Sequence, residues 1–372
     1  MAEAKRVLHV IYQYSIGGLE KVMSECINHL DDGYEHQVVS LTTVSEYASK
    51  NLNRVIPIQA MNKRPGNDWS LFLRLYRFMR QFKPDVLHTY NLPTLEYQLV
   101  GFFAGVNIRV HAEHGRDFSD PKGENKKYNL LRRLLNPFIH HWVPVSQDLQ
   151  QWLCHIGLPK RKIRLIYNGV DTDQFHPLQA GASIAPMAGF PTKDSVIIGT
   201  IGRLDPVKNQ ASLIRILSRI QATQPDLKHR LAIVVVGDGP LSTELAESIQ
   251  AAGLQDAVWM PGARYNIPDI MRYFDLFVLP SIAEGVPMTL LEAMATGLPT
   301  ICSQVGGIPE VLAAGCGIML EPMDEPAWAE AIIALLMDSE HAKALGQKAR
   351  AHVEAHYSIQ SMVQQYQQLY EA

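Results

Sequence analysis

Two glutamates in the C-terminal half of the sequence could hold different parts of one ligand. They are Glu284 and Glu292, the two carboxylates of the segment EGVPMTLLEA. Pro287 suits the first turn of a helix, and the residues after it favour the helix itself. Because backbone N–H groups at a helix start attract anions, this spacing predicts a ligand with phosphates there and hydroxyls at the carboxylates. The alternative is an ordinary loop-to-helix turn with one solvated and one capping glutamate.

Two adjacent glycines near the start of the chain form a second candidate binding turn. Gly17 and Gly18 follow a strand-like run over residues 7–12. Without a Cβ, their backbone could lie close to a phosphate or to an acceptor. A tight turn without a ligand is the alternative. The spacing is not GxGxxG, so the nicotinamide-binding fingerprint is missing.

These candidate residues lie in loops of a repeating strand–helix pattern. Short buried strands alternate with helical segments, and the pattern restarts after residues 183–194, which are rich in Ala, Gly and Pro and form a predicted linker. Such alternation predicts parallel α/β sheets, which bind ligands at the carboxyl ends of their strands. The predicted domains are residues 1–178 and 190–356, with a helix over 357–372 that packs back on the first. The predicted strands cover residues 7–12, 36–41, 85–88, 109–113, 196–201, 231–236, 276–279 and 300–303.

The composition excludes several classes of protein. The 372 residues suffice for two domains, and 47% apolar with 19% charged residues is typical of a soluble globular protein. A formal net charge of -3 argues against general nucleic-acid binding. Four widely spaced cysteines without a CxxC pair fit a reducing cytoplasm. No signal peptide is recognisable and no apolar run approaches the roughly 20 residues that span a bilayer, so we expect a cytoplasmic protein whose membrane contact is at most peripheral.

The charge is unevenly distributed along the chain. Residues 1–170 carry 22 basic and 15 acidic side chains, a net of +7, whereas the remainder is net −10. This asymmetry favours an anionic partner for the first half. Residues 122–142 contribute to it with a basic amphipathic pattern that could lie on an anionic membrane; a domain helix with a solvated basic face is an equal alternative. The basic residues of this segment are Lys122, Lys126, Lys127, Arg132 and Arg133.

A set of motifs in the same order resembles one enzyme family. Beside Glu284–x7–Glu292 with GVP between the carboxylates, it comprises IGGLEKV, EHG, YNGVD, GRLDPVKN, GDGP and PGAR. Together they resemble the retaining glycosyltransferase family 4. Its GT-B fold implies two Rossmann-like domains facing each other across a cleft. The segments IGGLE, EHGRD and IYNGVDTDQFHP are most similar to those of sugar transferases of bacterial exopolysaccharide loci associated with PEP-CTERM sorting systems.

The resemblance implies roles for the matching residues. Glu292 would bond the ribose hydroxyls of the donor, and Glu284 would contact the donor sugar. Arg203 and Lys208 would neutralise the diphosphate, which gains charge as the glycosidic bond breaks. The implied catalytic set is His114, Arg203, Lys208 and Glu284. The implied donor-binding set is Gly17, Gly18, Arg203, Lys208, Gly239, Arg264, Glu284, Gly285, Val286, Pro287, Thr289, Leu290 and Glu292.

Several of these assignments have structural alternatives. Arg203 and Lys208 could be surface cations, and ordinary turn chemistry would equally explain Gly239 and Arg264. Asn209 departs from the family pattern, in which glycine commonly follows the lysine, and this leaves the loop geometry open.

The histidine of the EHG motif has a simpler alternative as well. The resemblance places His114 near the reacting centre, in contact with the donor sugar, but a lone histidine is more often structural. The role of Glu113, just before it, stays open.

No metal and no cofactor are expected. Asp171 and Asp173 form a DxD sequence, which holds a divalent cation in GT-A enzymes. Paired carboxylates alone bind magnesium poorly, and the family has a similar segment there that is not a metal site. His140 and His141 lack partners with zinc spacing.

We therefore predict a metal-independent hexosyltransferase that uses a nucleoside-diphosphate sugar, with a UDP-sugar favoured. Its acceptor would be a glycan or a lipid-linked sugar of exopolysaccharide biosynthesis, at the inner face of the cell membrane. Transfer would retain the anomeric configuration through front-face attack, with the donor mainly on residues 195–356 and the acceptor mainly on residues 1–175. The alternatives are a nucleotide-sugar epimerase or phosphorylase on the same fold, or a non-catalytic sugar-binding protein.

Overall fold

Two α/β units make up the chain, and each is built on a six-stranded parallel sheet. The computed structural model describes residues 4–15, 17–45, 48–117, 119–178, 195–227 and 230–372. The first unit comprises Met1–Gly169 with Ile359–Ala372, and the second comprises Val170–Ser358. The predicted linker at 183–194 lies outside the described residues.

The first sheet has a change of winding direction at its centre. Its strands are β1 Lys5–Ile11, β2 Tyr34–Ser40, β3 Ile58–Ala60, β4 Val86–Tyr90, β5 Ile108–Glu113 and β6 His141–Pro144. They lie in the order β3-β2-β1-β4-β5-β6, and all pairs are parallel. The switch point between β1 and β4 is where such sheets bind ligands, outside the carboxyl ends of the strands. The helices of this part are α1 Gly18–His29, α2 Trp69–Phe82, α3 Tyr97–Ala104, α4 Lys126–Leu135 and α5 Gln147–His155.

Apolar periodicity explains how a helix covers this sheet. In α2, Leu71, Leu75 and Met79 recur at helical spacing and are buried in one core with Leu8 and Val39 of the sheet. Burying each such side chain contributes roughly 1.5–3 kcal/mol. The strands themselves are runs of buried residues, as expected for a parallel sheet covered on both faces.

The second sheet repeats this topology. Its strands are β7 Val196–Ile201, β8 Leu231–Val236, β9 Val258–Gly262, β10 Leu276–Leu279, β11 Thr300–Ser303 and β12 Ile318–Leu320. The order β12-β11-β10-β7-β8-β9 puts its switch point between β7 and β10. The helices are α6 Ala211–Thr223, α7 Ser242–Ala251, α8 Ile267–Met271, α9 Met288–Ala295, α10 Ile308–Val311, α11 Glu325–Met337 and α12 Ser339–His356.

The chain passes between the units at different places from those predicted. The first unit ends at Gly169, before residue 178, because residues 170–178 pack on the second unit. Arg272 there donates to the carbonyls of Gln174 and His176 at 3.0 and 3.3 Å, and Arg350 donates to that of Phe175 at 3.0 Å. A last helix, α13 Ile359–Glu371, belongs to the first unit.

A polar cluster lies inside the first unit, beneath α13. His9 contacts the Tyr90 hydroxyl through Nδ1 at 2.8 Å and His36 Nδ1 through Nε2 at 3.0 Å, and His88 Nδ1 lies 2.7 Å from the Tyr370 hydroxyl. Burial lowers the pKa of His9 and of His88 well below the usual value, and that of His36 to about 4. All three imidazoles are therefore neutral at pH 7.

Candidate functional site

Two loops meet at the switch point of the second sheet. One covers residues 202–210 after β7, and the other covers residues 280–287 after β10. Ile282 N donates to Val207 O at 2.7 Å, and Asn209 Nδ2 donates to Pro280 O at 3.1 Å. The topology thus joins two segments that lie far apart in the sequence, at the edge where such sheets bind ligands.

Asn209 adopts the conformation that a glycine would supply. Its φ of 52° lies in the left-handed region, which favours glycine and which asparagine enters more readily than most residues. The substitution of asparagine for the expected glycine therefore preserves this backbone conformation. The asparagine side chain adds the bond to Pro280 O that links the loops.

Glu284 accepts hydrogen bonds from a cation and from a hydroxyl. Lys208 Nζ and Ser281 Oγ each lie 2.6 Å from Glu284 Oε1. The side chains of Glu284 and Lys208 are only 8% and 21% exposed, so solvent screens this pair less than a surface pair. Arg203 lies on the same loop as Lys208 with its side chain 67% exposed, and its Nε is 4.0 Å from an Asp205 oxygen. Its guanidinium is therefore accessible to an anion.

Two residues that the sequence analysis did not assign hold Glu284 in place. Ser281 is fully buried and orients the carboxylate through its hydroxyl. Gly306, after β11, has a φ of 54°, and a Cβ there would lie 1.8 Å from the Glu284 carbonyl oxygen. Gly307 N also donates to Gly285 O at 2.9 Å. The only sequence signals for these contacts were a serine three residues before Glu284 and the glycine pair of QVGGIPE.

Helix α9 begins directly after Pro287, as the sequence predicts. Glu292 lies in its second turn and is 3% exposed. Thr289 is half-buried at the start of the helix. Leu290 is fully buried and its N–H donates to Pro287 O at 3.1 Å, so its side chain packs in the core. Val286 is likewise buried.

Gly239 and Arg264 occupy loops at the same edge of the second sheet. A Cβ on Gly239 would lie 2.3 Å from Leu204 O, so the glycine lets the loop after β8 pack against the loop that carries Arg203. Arg264 follows β9 and is exposed, with its guanidinium carbon 6.0 Å from the centre of the Trp259 ring. Close packing thus explains Gly239 without a ligand, whereas Arg264 is accessible to one.

His114 and Asn91 lie side by side in the first unit. His114 follows β5, and its N–H donates to the Oδ1 of Asn91 at 2.7 Å. Burial lowers the pKa of His114 to about 3 although Glu113 opposes the shift, so the imidazole is neutral at pH 7. Its Nε2 has no hydrogen-bond partner among the described residues. The His114 ring therefore holds one buried nitrogen without a partner, and it is not a cationic acid.

Glu113 is a structural residue. Arg132 donates to both of its carboxylate oxygens, at 2.7 and 3.3 Å, and His111 Nε2 lies 3.5 Å from Oε1. Burial alone would raise the pKa of Glu113, but Arg132 and His111 together lower it to about 2. The ion pair is fully buried and fixes the residue that precedes His114.

This ion pair corrects the predicted basic surface of residues 122–142. Arg132 is 2% exposed, because it points inward to Glu113, and cannot contact a membrane. The residues of α4 that are exposed share one helical face, which we call the basic–apolar face. Phe102 and Phe103 extend it, since they are 45% and 65% exposed and Phe102 packs on Phe138 just after α4. The face consists of Lys126, Lys127, Leu130, Arg133 and Leu134.

Gly17 and Gly18 follow β1 at the switch point of the first sheet. Gly17 precedes α1 in an extended conformation with φ −173°, and Gly18 is the first residue of α1. A Cβ on Gly17 would meet only the side chain of Glu20. The backbone conformation therefore does not require glycine at position 17.

The predicted DxD segment caps a turn. Asp171 Oδ1 accepts the N–H groups of Asp173 and Gln174 at 2.9 and 3.1 Å. In the part of the chain that the structure describes, no group of His, Cys, Asp and Glu side chains is arranged to hold a metal ion. No helix of that part combines the length and apolar content needed to cross a membrane.

Comparison with known families matches each half of the sequence. Residues 188–352 match the family described as Glycosyl transferases group 1, and residues 16–174 match Glycosyltransferase Family 4. The chain is 27% identical to the putative glycosyltransferase EpsF of Bacillus subtilis over 351 residues, which cover 88% of this chain and 87% of that protein.

The chain is also similar to a named galactosyltransferase and to a solved structure. The chain is 30% identical over 260 residues to UDP-Gal:alpha-D-GlcNAc-diphosphoundecaprenol alpha-1,3-galactosyltransferase of Escherichia coli, with 68% of this chain and 66% of that protein covered. The crystal structure of Anabaena HepE with UDP-glucose superposes with a TM-score of 0.81 at 20% identity over 98% of each chain. The latter likeness shows a shared fold.

Proposed function

Since the chain is a glycosyltransferase of family 4 with the GT-B fold, we propose that it transfers a hexose from a UDP-sugar with retention of configuration. The acceptor is a lipid-linked sugar or a growing glycan of exopolysaccharide biosynthesis. The observation that carries the proposal is the Lys208–Glu284 pair on two bonded loops at the switch point of the second sheet.

That pair supports donor chemistry in a specific way. A diphosphate would contact the ammonium of Lys208 and the accessible guanidinium of Arg203, and both cations would stabilise the charge that develops on the leaving group. Glu284, oriented by Ser281, would accept hydrogen bonds from the sugar hydroxyls. Glu292 would hold the ribose. Because lysine and arginine supply the positive charge, the proposed reaction uses no metal.

Two relatives support the choice of donor and acceptor. The E. coli relative is named for UDP-Gal and for a diphosphoundecaprenol-linked sugar, and HepE was solved with UDP-glucose. The sequences of the motifs IGGLE, EHGRD and IYNGVDTDQFHP support a role in exopolysaccharide biosynthesis. Retention fits front-face attack, in which the departing phosphate assists the incoming hydroxyl.

A lipid-linked acceptor would also explain the basic–apolar face as a membrane-binding surface. Lysines beside exposed leucines match anionic headgroups over an apolar interior. We therefore place the reaction at the inner face of the cell membrane.

The proposal is tested first by ligand-induced stabilisation. UDP, but not GDP or ADP, should raise the melting temperature, because binding to the folded state alone stabilises it. Lys208→Ala should lose this shift. Arg215→Ala, which breaks an exposed pair with Glu325, should keep it. A protein stabilised by none of the three nucleotides would contradict the proposal.

Turnover then separates the proposed enzyme from its alternatives. UDP-glucose and UDP-galactose are each incubated with the protein in EDTA, with and without undecaprenyl-diphosphate-linked GlcNAc. Acceptor-dependent UDP release, with an α-linked product by NMR, is the expected result. Interconversion of the two donors without an acceptor would identify an epimerase instead.

A further inference from the structure

Asn91 adopts a backbone conformation that is almost reserved for glycine. It follows β4 at the switch point of the first sheet with φ 58° and ψ 169°. The surrounding bonds hold it there, because Asn91 N donates to Ala112 O at 2.8 Å and Thr94 N donates to Asn91 O at 3.1 Å. If this position served only to turn the chain, glycine would fit without strain. The asparagine therefore points to a use for its side chain.

One half of that side chain has a definite task. The atom that accepts the His114 N–H at 2.7 Å must be the oxygen of the Asn91 amide, because a backbone N–H can only donate. The bond fixes His114 from one side. The buried Glu113–Arg132 pair fixes the preceding residue from the other.

The other half of the side chain is unused. Asn91 Nδ2 makes no hydrogen bond with any described residue, and the half-buried side chain remains open to a ligand. Its two N–H groups thus lie at the carboxyl end of β4, beside the switch point where sheets of this type bind ligands. Sugar hydroxyls accept hydrogen bonds from such amides.

We infer that Asn91 contacts the sugar of the UDP-sugar. Its Nδ2 donates a hydrogen bond to a hydroxyl of that sugar, while its Oδ1 positions His114. The inference rests on the proposed function. It identifies a specificity-determining residue that also acts as a positioning residue for His114.

Two substitutions separate these two tasks. Asn91→Asp keeps an oxygen that accepts the His114 N–H but removes the hydrogen-bond donor Nδ2. It should therefore raise the KM for the UDP-sugar about 10-fold, with kcat near that of the wild type. Asn91→Gly removes both groups and relieves the strain, so it should lower kcat about 100-fold while the melting temperature stays equal or rises. Asn62→Gly is the matched control, since Asn62 also has a positive φ of 48° in the first unit. It should keep wild-type kinetics.

The probe is release of UDP from UDP-glucose or UDP-galactose, whichever the wild type turns over faster, with calorimetry of UDP binding beside it. UDP should bind all three variants like the wild type. Wild-type turnover by Asn91→Gly would overturn the inference, and so would equal losses of kcat at unchanged KM in both Asn91 variants. If the wild type itself neither binds nor releases UDP, the proposed function fails. If the wild type is active and Asn91→Gly is equally active, only the role of Asn91 fails.

Discussion

Lys208 Nζ lies 2.6 Å from Glu284 Oε1, so the cation proposed for the diphosphate is paired with the carboxylate proposed for the sugar. Each group keeps the other from being a buried charge without a counterion. A donor that places its phosphate at Lys208 would release Glu284 for the sugar hydroxyls. The pair would thus couple binding of the diphosphate to binding of the sugar.

The two glutamates should respond differently to isosteric replacement. Glu292→Gln should raise the donor KM more than it lowers kcat, because ribose contacts act equally in the ground state and the transition state. Glu284→Gln should mainly lower kcat, because a misplaced sugar ring loses its reactive geometry. Steady-state kinetics with calorimetry of UDP binding measures both. Identical behaviour of the two variants would contradict their separate roles.

Removal of either cation should slow transfer strongly. Lys208→Ala and Arg203→Ala should each cost roughly 2–4 kcal/mol of transition-state stabilisation, the usual effect of losing one preorganised electrostatic group. The measurement is kcat/KM with the cognate donor, and Arg215→Ala serves as the surface control. Near-wild-type rates in both variants would exclude a diphosphate site on this loop.

Chelation should leave the activity intact. The carboxylate of Asp171 already accepts two backbone N–H groups, and Asp171→Asn keeps an oxygen for them. Transfer in excess EDTA, and transfer by Asp171→Asn, should both proceed near the wild-type rate. Loss of activity in EDTA that manganese or magnesium restores would show that a metal takes part.

Binding to anionic membranes should depend on the basic–apolar face. Replacing both lysines, in Lys126→Gln/Lys127→Gln, should weaken partitioning into phosphatidylserine vesicles about 30-fold, from about 1 kcal/mol for each lysine. Salt should weaken binding too, since exposed charges are screened over about 8 Å at physiological ionic strength. Lys343→Gln, an exposed lysine of the second unit, is the control. Equal partitioning into neutral and anionic vesicles would remove the electrostatic argument.

Acid should loosen the first unit. His36 has a pKa of about 4 in the fold, because burial lowers it, and about 6.5 in an unfolded chain. Below pH 6.5 the unfolded chain therefore binds a proton that the fold excludes, so stability falls as the pH drops towards 4. Between pH 7 and pH 5, His36 alone lowers the free energy of unfolding by about 2 kcal/mol.

Hydrogen–deuterium exchange of β1 at pH 7 and pH 5 measures the effect of His36. His36→Asn keeps a polar atom towards His9 without the titration and should reduce the pH dependence. An unchanged pH dependence in His36→Asn would assign the effect to other groups.

The longest apolar runs made the alternating α/β architecture predictable. The strands β7, β8, β10 and β11 coincide with the predicted residues, because all four are fully or nearly fully buried and β8 and β10 are continuous apolar runs. The strands β3, β6, β9 and β12 were missed, since each has only three to five residues. Such short strands depend on their neighbours in the sheet rather than on their own sequence.

Contacts between distant segments were harder to predict. Arg132 fits the basic pattern of its helix as well as its neighbours do, and only the fold shows that it turns inward to Glu113, nineteen residues away. Asn91 belongs to none of the recognised motifs. It stands out only in the structure, through its dihedral angles and its hydrogen bond with the His114 N–H. Side-chain periodicity predicts which face of a helix is buried, but it does not identify the partner of a buried charge.

Helix α13 has a consequence for biosynthesis. Lys5 Nζ donates to Tyr370 O at 2.7 Å, and Tyr34 donates its hydroxyl hydrogen to Glu371 at 3.0 Å. The unit that leaves the ribosome first therefore lacks a layer of its core until residues 359–371 have been translated, and the second unit can finish folding before it. The same proximity makes residues 4 and 371 suitable for joining through a short linker in a circular permutant, with new termini in an exposed loop.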